Sequence, residues 1–197
     1  MNTPYDKKDL GAALDTLRAG GIILYPTDTV WGIGCDATNE EAVRRIFALK
    51  QRADSKAMIV LLDSQFRLQK YVQTVPDTAW QLINAANTPE NTRPLTIIYP
   101  EAINLAPSLV ADDGSIGIRL TTERFTQDLC AKLERPIVST SANISGMPTP
   151  ANYSQISDEI KDGADYVCRY RRNDNSKHLP SSIIKINSDN TFILIRQ

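Results

Sequence analysis

The sequence predicts an α/β layered fold built on a mixed, twisted sheet. Two observations predict it. Helical and strand patterns alternate through most of the chain. The strand patterns are continuous apolar runs rather than alternations, as in a sheet covered on both faces.

Leu10, Leu14 and Leu17 recur at helical spacing within 9–18, and Gly20-Gly21 closes that helix as a C-terminal cap. Ile22 to Tyr25 reads as a buried strand ended by Pro26, and Thr27 to Gly34 as a polar turn followed by small residues. Thr38-Asn39-Glu40-Glu41 is a capping-box pattern opening a helix that buries Val43, Ile46 and Phe47 and runs to about Lys50. After a polar loop, Gln51 to Lys56, comes an apolar strand, Ala57 to Leu62. Asp77 to Ala86 reads as a helix with Trp80, Leu82 and Ile83 inward, and Leu95 to Tyr99 as a strand between two prolines. Ser115 to Leu120 is a strand, Phe125, Leu129 and Leu133 mark a helix, and Ile137-Val138 start a strand running into Ser139-Thr140-Ser141-Ala142-Asn143. Ser154 to Lys161 reads as a short helix, and Ile183 to Ile186 and Phe192 to Ile195 as a terminal hairpin. With no internal repeat and no linker, one domain over 1–197 is the expectation.

Hydrophobic residues make up 42% and charged residues 23% of the 197, as in an ordinary globular protein. No apolar run reaches the roughly 18 residues of a membrane span. The first nine residues lack the apolar core of a secretory signal, so a cytoplasmic location with no membrane partner is expected. The net charge of −1 argues against a protein that grips nucleic acid mainly through phosphates, while leaving room for a local basic patch. Cys35, Cys130 and Cys168 show no metal spacing and read as small buried hydrophobes. His178 is the single histidine, which excludes a histidine-based metal cluster.

Four clusters can carry chemistry. In Pro26-Thr27-Asp28-Thr29, after a buried strand, two hydroxyls and a carboxylate can hold a small polar substrate, or can simply form a turn. Lys50-Gln51-Arg52 with Lys56 reads either as cations complementing a helix C-terminus or as an anion site for a polyphosphate. Ser139 to Asn143 with Ser145-Gly146 brings an unusual density of short hydrogen-bonding side chains to one strand end, where turns and caps are the plain alternative. Arg119, inside an apolar strand, needs a substrate carboxylate or an internal acid as partner, unless it faces solvent at an edge. Neither a P-loop nor a GxGxxG after a strand is present.

At these clusters the chain resembles the YrdC-like threonylcarbamoyl-AMP synthase family, over nearly its whole length and with the motifs in order. Leu24 to Gly34, LYPTDTVWGIG, resembles that family's YPTET signature. Lys50-Gln51-Arg52 resembles its KxR motif, and Ser139 to Gly146, STSANISG, its SxN motif. Ser181 to Ile186 resembles its S-T-[VI]-[VI]-D-[VL] strand, and Ile195-Arg196 its terminal L-R. The chain departs at Ala53, where the family often has Pro, at Asn91-Thr92-Arg93-Pro94, where a WPGP-like segment is usual, and at Lys185, where the family has Asp.

The resemblance implies a YrdC-like twisted mixed β-sheet with helices packed on it, a concave ligand cavity, and the single-domain form. It implies a nucleotidyltransferase, a transferase of tRNA modification. The enzyme would make threonylcarbamoyl-AMP and pyrophosphate from L-threonine, bicarbonate or CO2, and ATP, with Mg²⁺ bound mainly through ATP. The product would go to a tRNA threonylcarbamoyl transferase acting on adenosine 37. Lys50, Arg52, Ser141 and Asn143 would be the catalytic tetrad around the phosphates. Thr29, Arg119, Ser139 and Ser181 would contact threonine, and Arg52, Lys56, Ser115, Ser141, Thr149 and Arg196 would contact ATP. Three other readings stand beside this one. They are an RNA-binding or ribosome-associated module with a weak tRNA or double-stranded RNA contact, an adenylating enzyme for a different amine, and a serine hydrolase built on Ser139 or Ser141 with His178.

Overall fold

The computed structural model of the protein describes residues 5–51, 58–86, 88, 93–176 and 179–197. In chain order it contains α1 (Lys7–Arg18), β1 (Ile23–Tyr25), β2 (Gly32–Gly34), α2 (Glu40–Leu49), β3 (Ile59–Leu62), α3 (Asp77–Ala86) and β4 (Leu95–Tyr99). There follow β5 (Ile116–Leu120), α4 (Arg124–Leu133), β6 (Ile137–Ser141), α5 (Asp158–Asp162), β7 (Tyr166–Val167), β8 (Ser182–Ile186) and β9 (Phe192–Arg196). The strands form one sheet in the order β7-β1-β2-β6-β3-β5-β4-β8-β9. It is mixed: β1–β7, β3–β5 and β4–β8 run parallel and the remaining neighbours antiparallel. The expected fold class is the observed one.

The helix ends follow from their caps. The Asp6 carboxylate accepts from Lys8 N, so α1 starts two residues earlier than its leucine spacing indicates. Asn39, rather than Thr38, caps α2 by accepting from Ala42 N at 3.1 Å. β2 falls where the sequence reads as a turn. Its two glycines have no side chain to show a pattern, and the space around Gly34 explains one of them. A Cβ there would lie 2.5 Å from the Val138 carbonyl oxygen and 2.7 Å from the Tyr25 ring. The stretch expected as a helix over 154–161 divides into a 3-10 turn, Tyr153–Gln155, and α5. β7, two residues long, has no sequence pattern and exists through its pairing with β1. The terminal hairpin forms as expected, with a register shift that pairs Ile183 with Arg196 and Ile184 with Leu194.

Strand alternation divides the core into two layers. Leu24, Ile33, Val60, Leu62, Ile97, Ile118 and Val138 face the layer that contains the apolar sides of α2 and α3. Ile23, Tyr25, Leu61 and Ile137 face the other layer, filled by Leu10, Leu14 and Leu17 of α1 and Phe125, Leu129 and Leu133 of α4. This second layer stops at β3. Beyond it, over β5, β4 and β8, the same face of the sheet floors a cavity of about 580 Å³. Coverage of both faces is therefore confined to the first half of the sheet. β9 closes the far edge, with Phe192, Ile193, Leu194 and Ile195 each about half exposed.

Candidate active site

The register brings the expected site residues onto one face. Ser139 pairs with Ile59, and Ile59 with Gly117. Arg119 pairs with Leu61 on one side and Thr96 on the other, and Thr96 with Ile183. Because strand side chains alternate, Ser115, Gly117 and Arg119 share this face with Ser139 and Ser141, with Thr96, and with Ser181 and Ile183. Ser115 and Ser141 flank the same end of β3, where the chain enters it at Met58. Thr96, Ser115, Gly117 and Lys185 line the cavity. A Cβ on Gly117 would come within 2.9 Å of Ile59 Cγ2 on this floor.

Arg119 and Asp28 form a buried ion pair, their side chains 4% and 5% exposed. The edge-strand alternative for Arg119 is thereby set aside, and an internal acid is its partner. Arg119 Nη2 lies 2.9 Å from Asp28 Oδ1, but off the line of its N–H bonds. Nε and Nη2 of Arg119 and Oδ1 of Asp28 make no hydrogen bond. Asp28 Oδ2 accepts from Thr122 N at 3.3 Å. Thr29 is buried beside them, its hydroxyl 3.1 Å from that of Thr27, which itself donates to Val30 O at 2.7 Å. The Arg171 guanidinium donates to Thr27 O at 3.0 Å and holds this loop from outside the sheet.

Ser181 sits at the entry to β8. Its hydroxyl accepts from Thr96 Oγ1 at 2.9 Å and from Arg196 Nη2 at 3.2 Å, and its carbonyl accepts from Nε and Nη2 of Arg196 at 3.0 and 2.7 Å. Ser115 is held by Asp113, which accepts from its hydroxyl at 2.6 Å and its backbone N–H at 3.0 Å. Lys185 donates to the other oxygen of Asp113 at 2.5 Å. The Lys185 ammonium, helped by Ser115, holds the Asp113 carboxyl down at about 2. The late-strand departure from the family pattern is thus a cation on the cavity floor with its own acid.

Lys50 and the SxN segment meet at the end of β6. Lys50 is 1% exposed, and its ammonium donates to the carbonyl oxygens of Ser141 and, at 2.6 Å, Asn143. Those contacts are with the backbone of the SxN turn, whereas the sequence reading puts Lys50 on phosphate charge. Asn143 donates to Ile144 O and Met147 O, which leaves its buried Oδ1 without a hydrogen bond. Asn143 and Thr149 line a second cavity of about 580 Å³ together with Gln51 and Glu159. Gln51 at one cavity and Met58 at the other bracket 52–57. Arg52 and Lys56 lie outside the described residues, as does His178.

Burial pushes the Tyr25 phenol and all three cysteine thiols upward, so none is ionised near neutral pH. Among the described residues no group of three His, Cys, Asp or Glu side chains can hold a metal ion, and no helix is long and apolar enough to cross a membrane. Asp28, which the sequence reading names only within the Pro26–Thr29 cluster, and Thr96 and Asp113, which it does not name, contact the expected site residues. A threonine in the otherwise apolar strand Leu95–Tyr99 and an aspartate two residues before Ser115 are the signals that mark the last two.

The fold and the site define an α/β protein that gathers serine hydroxyls, Arg119 and Lys185 on one face of a mixed sheet, beside a cavity. A family model described as Sua5_yciO_yrdC, telomere recombination, matches residues 15–197, and the chain belongs to that family. It is 34% identical over 155 residues to the threonylcarbamoyl-AMP synthase of Psychromonas ingrahamii, covering 79% of this chain and 80% of that one. It is 37% identical over 141 residues to the threonylcarbamoyl-AMP synthase of Stenotrophomonas maltophilia, covering 71% of this chain and 74% of that one. Among solved structures, E. coli YciO superposes with a TM-score of 0.82 at 25% identity, over 100% of this chain and 91% of that one. P. abyssi Sua5 complexed with L-threonine shares the fold with a TM-score of 0.84 at 24% identity, over 98% of this chain. The chain spans about half of that protein, 55%.

Proposed function

We infer that this chain is a threonylcarbamoyl-AMP synthase, an enzyme of tRNA modification, and that it transfers the adenylyl group of ATP. The synthases named above, matched over most of their length, support the activity. The observation that carries it in the structure is the shared sheet face. Ser115, Arg119, Ser139, Ser141 and Ser181 come from three strands or the residues leading into them and point to the side of the sheet on which the cavity lies.

The reaction needs positioning and charge stabilisation rather than a protein nucleophile. The amine of threonine captures CO2, formed as such or by dehydration of bicarbonate. A carbamate oxygen then attacks the α-phosphorus of ATP, and pyrophosphate leaves. Arg119 receives the carboxylate of threonine, with Thr29, Ser139 and Ser181 around it. Ser115 and Ser141, at the two sides of the start of β3, flank the triphosphate, with Thr149 in the second cavity, while Arg196, an ATP residue by the family resemblance, stands beside Ser181. Arg52 and Lys56 add positive charge for the phosphates, as the family resemblance implies. Lys50 holds Ser141 and Asn143 in place. Mg²⁺ carried by the triphosphate would offset its charge. Release of the product to a downstream tRNA threonylcarbamoyl transferase completes the role.

Pyrophosphate release from ATP and Mg²⁺, with threonine and bicarbonate each omitted in turn, tests the proposal. Release that requires both is expected. Release with another amino acid in place of threonine keeps the chemistry and changes the substrate. No release from folded protein overturns the synthase reading and favours an RNA-binding module.

A further inference from the structure

Lys185 crosses the cavity floor. It stands on β8 beside Ile98 of β4, and its ammonium reaches across β4 to Asp113, in the turn that leads into β5. Asp113 is thereby divided between two partners. Its Oδ2 accepts from Lys185 at 2.5 Å, and its Oδ1 accepts from the hydroxyl and the backbone N–H of Ser115 at 2.6 and 3.0 Å. The backbone fixes the turn itself. Gly114 N donates to Ala111 O at 2.8 Å, Ala111 N donates to Ser115 O at 2.9 Å, and Gly114 takes a φ of +76° that favours glycine. Asp113, held down at about 2, is a carboxylate at neutral pH and can only accept, so Ser115 is the donor in their hydrogen bond.

A serine hydroxyl has one proton and two lone pairs. Ser115 gives its proton to Asp113, so what it turns to the cavity is lone pairs. A phosphate oxygen at that point would set acceptor against acceptor. The group that fits is a neutral donor, and ATP carries two kinds, the ribose hydroxyls and the adenine amine. We propose that Lys185 and Asp113 are positioning residues of the ATP subsite: they fix Ser115 as a hydrogen-bond acceptor, so that beside the triphosphate it selects a nucleoside hydroxyl or amine. This deepens the reading that ATP is a substrate and rests on it. Lys185 has a second effect, since Asp113 alone would repel an anionic ligand and the ammonium offsets it. The family pattern has Asp at 185, so the arrangement belongs to this chain rather than to the shared motifs.

Calorimetric binding to the full chain with Mg²⁺ tests this with ATP, 2′-deoxy-ATP, 3′-deoxy-ATP and purine riboside triphosphate, which lacks the amine. Wild type is expected to bind at least one of the three analogues about three- to tenfold more weakly than ATP, the scale of one hydrogen bond, and the weakened analogue names the donor. Ser115→Ala should bind that analogue and ATP alike. Lys185→Met should bind every nucleotide more weakly and also bring the ratio toward one, and Lys185→Arg should restore the ratio. Wild type that binds all four nucleotides equally overturns the proposal, a result that needs no variant to fold. Ser115→Ala or Lys185→Met that keeps the full preference overturns it too. Pyrophosphate release that requires threonine and bicarbonate, from protein with no such preference, removes the proposal and leaves the synthase reading. A preference that depends on Ser115 and Lys185, without pyrophosphate release, removes the synthase reading and leaves the proposal. Protein that binds no nucleotide removes both.

Discussion

The ammonium of Lys50, one residue past the end of α2, donates to the backbone carbonyls of both Ser141 and Asn143 at the end of β6. A buried cation thereby fixes the turn that presents the SxN side chains. Ser145 N returns a hydrogen bond to Lys50 O at 2.9 Å, so the two segments hold each other. Replacing Lys50 by Ala removes the donor and leaves two carbonyls unmatched. The expected loss in kcat/KM is about a hundredfold, on the scale of a lost charge stabiliser. Unfolding should become easier by about 1–3 kcal/mol. Pyrophosphate-release kinetics and denaturant melts measure the two effects, and near-wild-type turnover would remove Lys50 from the site.

Ser181 joins structure to binding through Thr96. Ser181→Ala leaves the buried Thr96 hydroxyl without its acceptor, a loss of about 1–3 kcal/mol. Removing both partners, Thr96→Val with Ser181→Ala, should recover much of that stability because neither hydroxyl is then stranded. The KM for threonine should stay raised in the double variant. Recovery of both stability and KM would make Ser181 a packing residue only.

The three cysteines are buried, with thiols held above their ordinary ionisation range by desolvation. Native protein should resist a thiol reagent at neutral pH, and denatured protein should react at all three. Rapid labelling of any one in the native state would show local opening of its layer.

Asp113 titrates at about 2, below the ordinary carboxylate value, chiefly because of Lys185. A depressed carboxylate adds stability that is complete above the unfolded value of about 4 and is lost as pH falls through about 2. Asp113 is about half exposed, so solvent screening keeps that contribution within about 1 kcal/mol. In Lys185→Met the carboxyl midpoint, followed by NMR, should rise toward the ordinary value. An unchanged midpoint would leave Ser115 as the whole cause.

At Gly34 an added methyl would meet the Val138 carbonyl and the Tyr25 ring, both well inside contact distance. Gly34→Ala should destabilise the protein by about 1–3 kcal/mol, the usual range for an overpacked core, and a thermal melt measures it. A neutral change would mean that β2 can move away from β6.

Much of this architecture is legible in the sequence, for a physical reason. The helices α2, α3 and α4 carry their burial pattern in their own residues, Val43, Ile46 and Phe47 in the first, Ile83 in the second, and Phe125, Leu129 and Leu133 in the third. Strands β4 and β5 are legible as apolar runs bounded by turn residues. β2 and β7 are not, because glycine carries no pattern and a two-residue strand is made by its neighbour. In the site, the hydroxyls of Ser139 and Ser141 are visible at a strand end, and the family resemblance alone supplies Ser181. The Asp28 partner of Arg119 and the Thr96 partner of Ser181 are not visible, since each joins segments far apart in the chain through sheet register alone. The backbone-bound state of Lys50 is likewise a product of packing rather than of spacing.

That register has a consequence for how the chain can vary. The polar face is assembled from alternate positions on β5, β6 and β8, so it depends on counting residues as much as on their identity. One residue inserted within β6 would swing Ser139 and Ser141 into the apolar layer and bring Val138 and Thr140 onto the active face. One deleted between Ser115 and Arg119 in β5 would put those two on opposite faces. Substitutions along these strands can be absorbed one at a time, but length changes there remove several site residues together. Insertions and deletions should therefore be tolerated in the connecting loops and excluded from the strands, a pattern that a deletion scan of this chain would draw out directly.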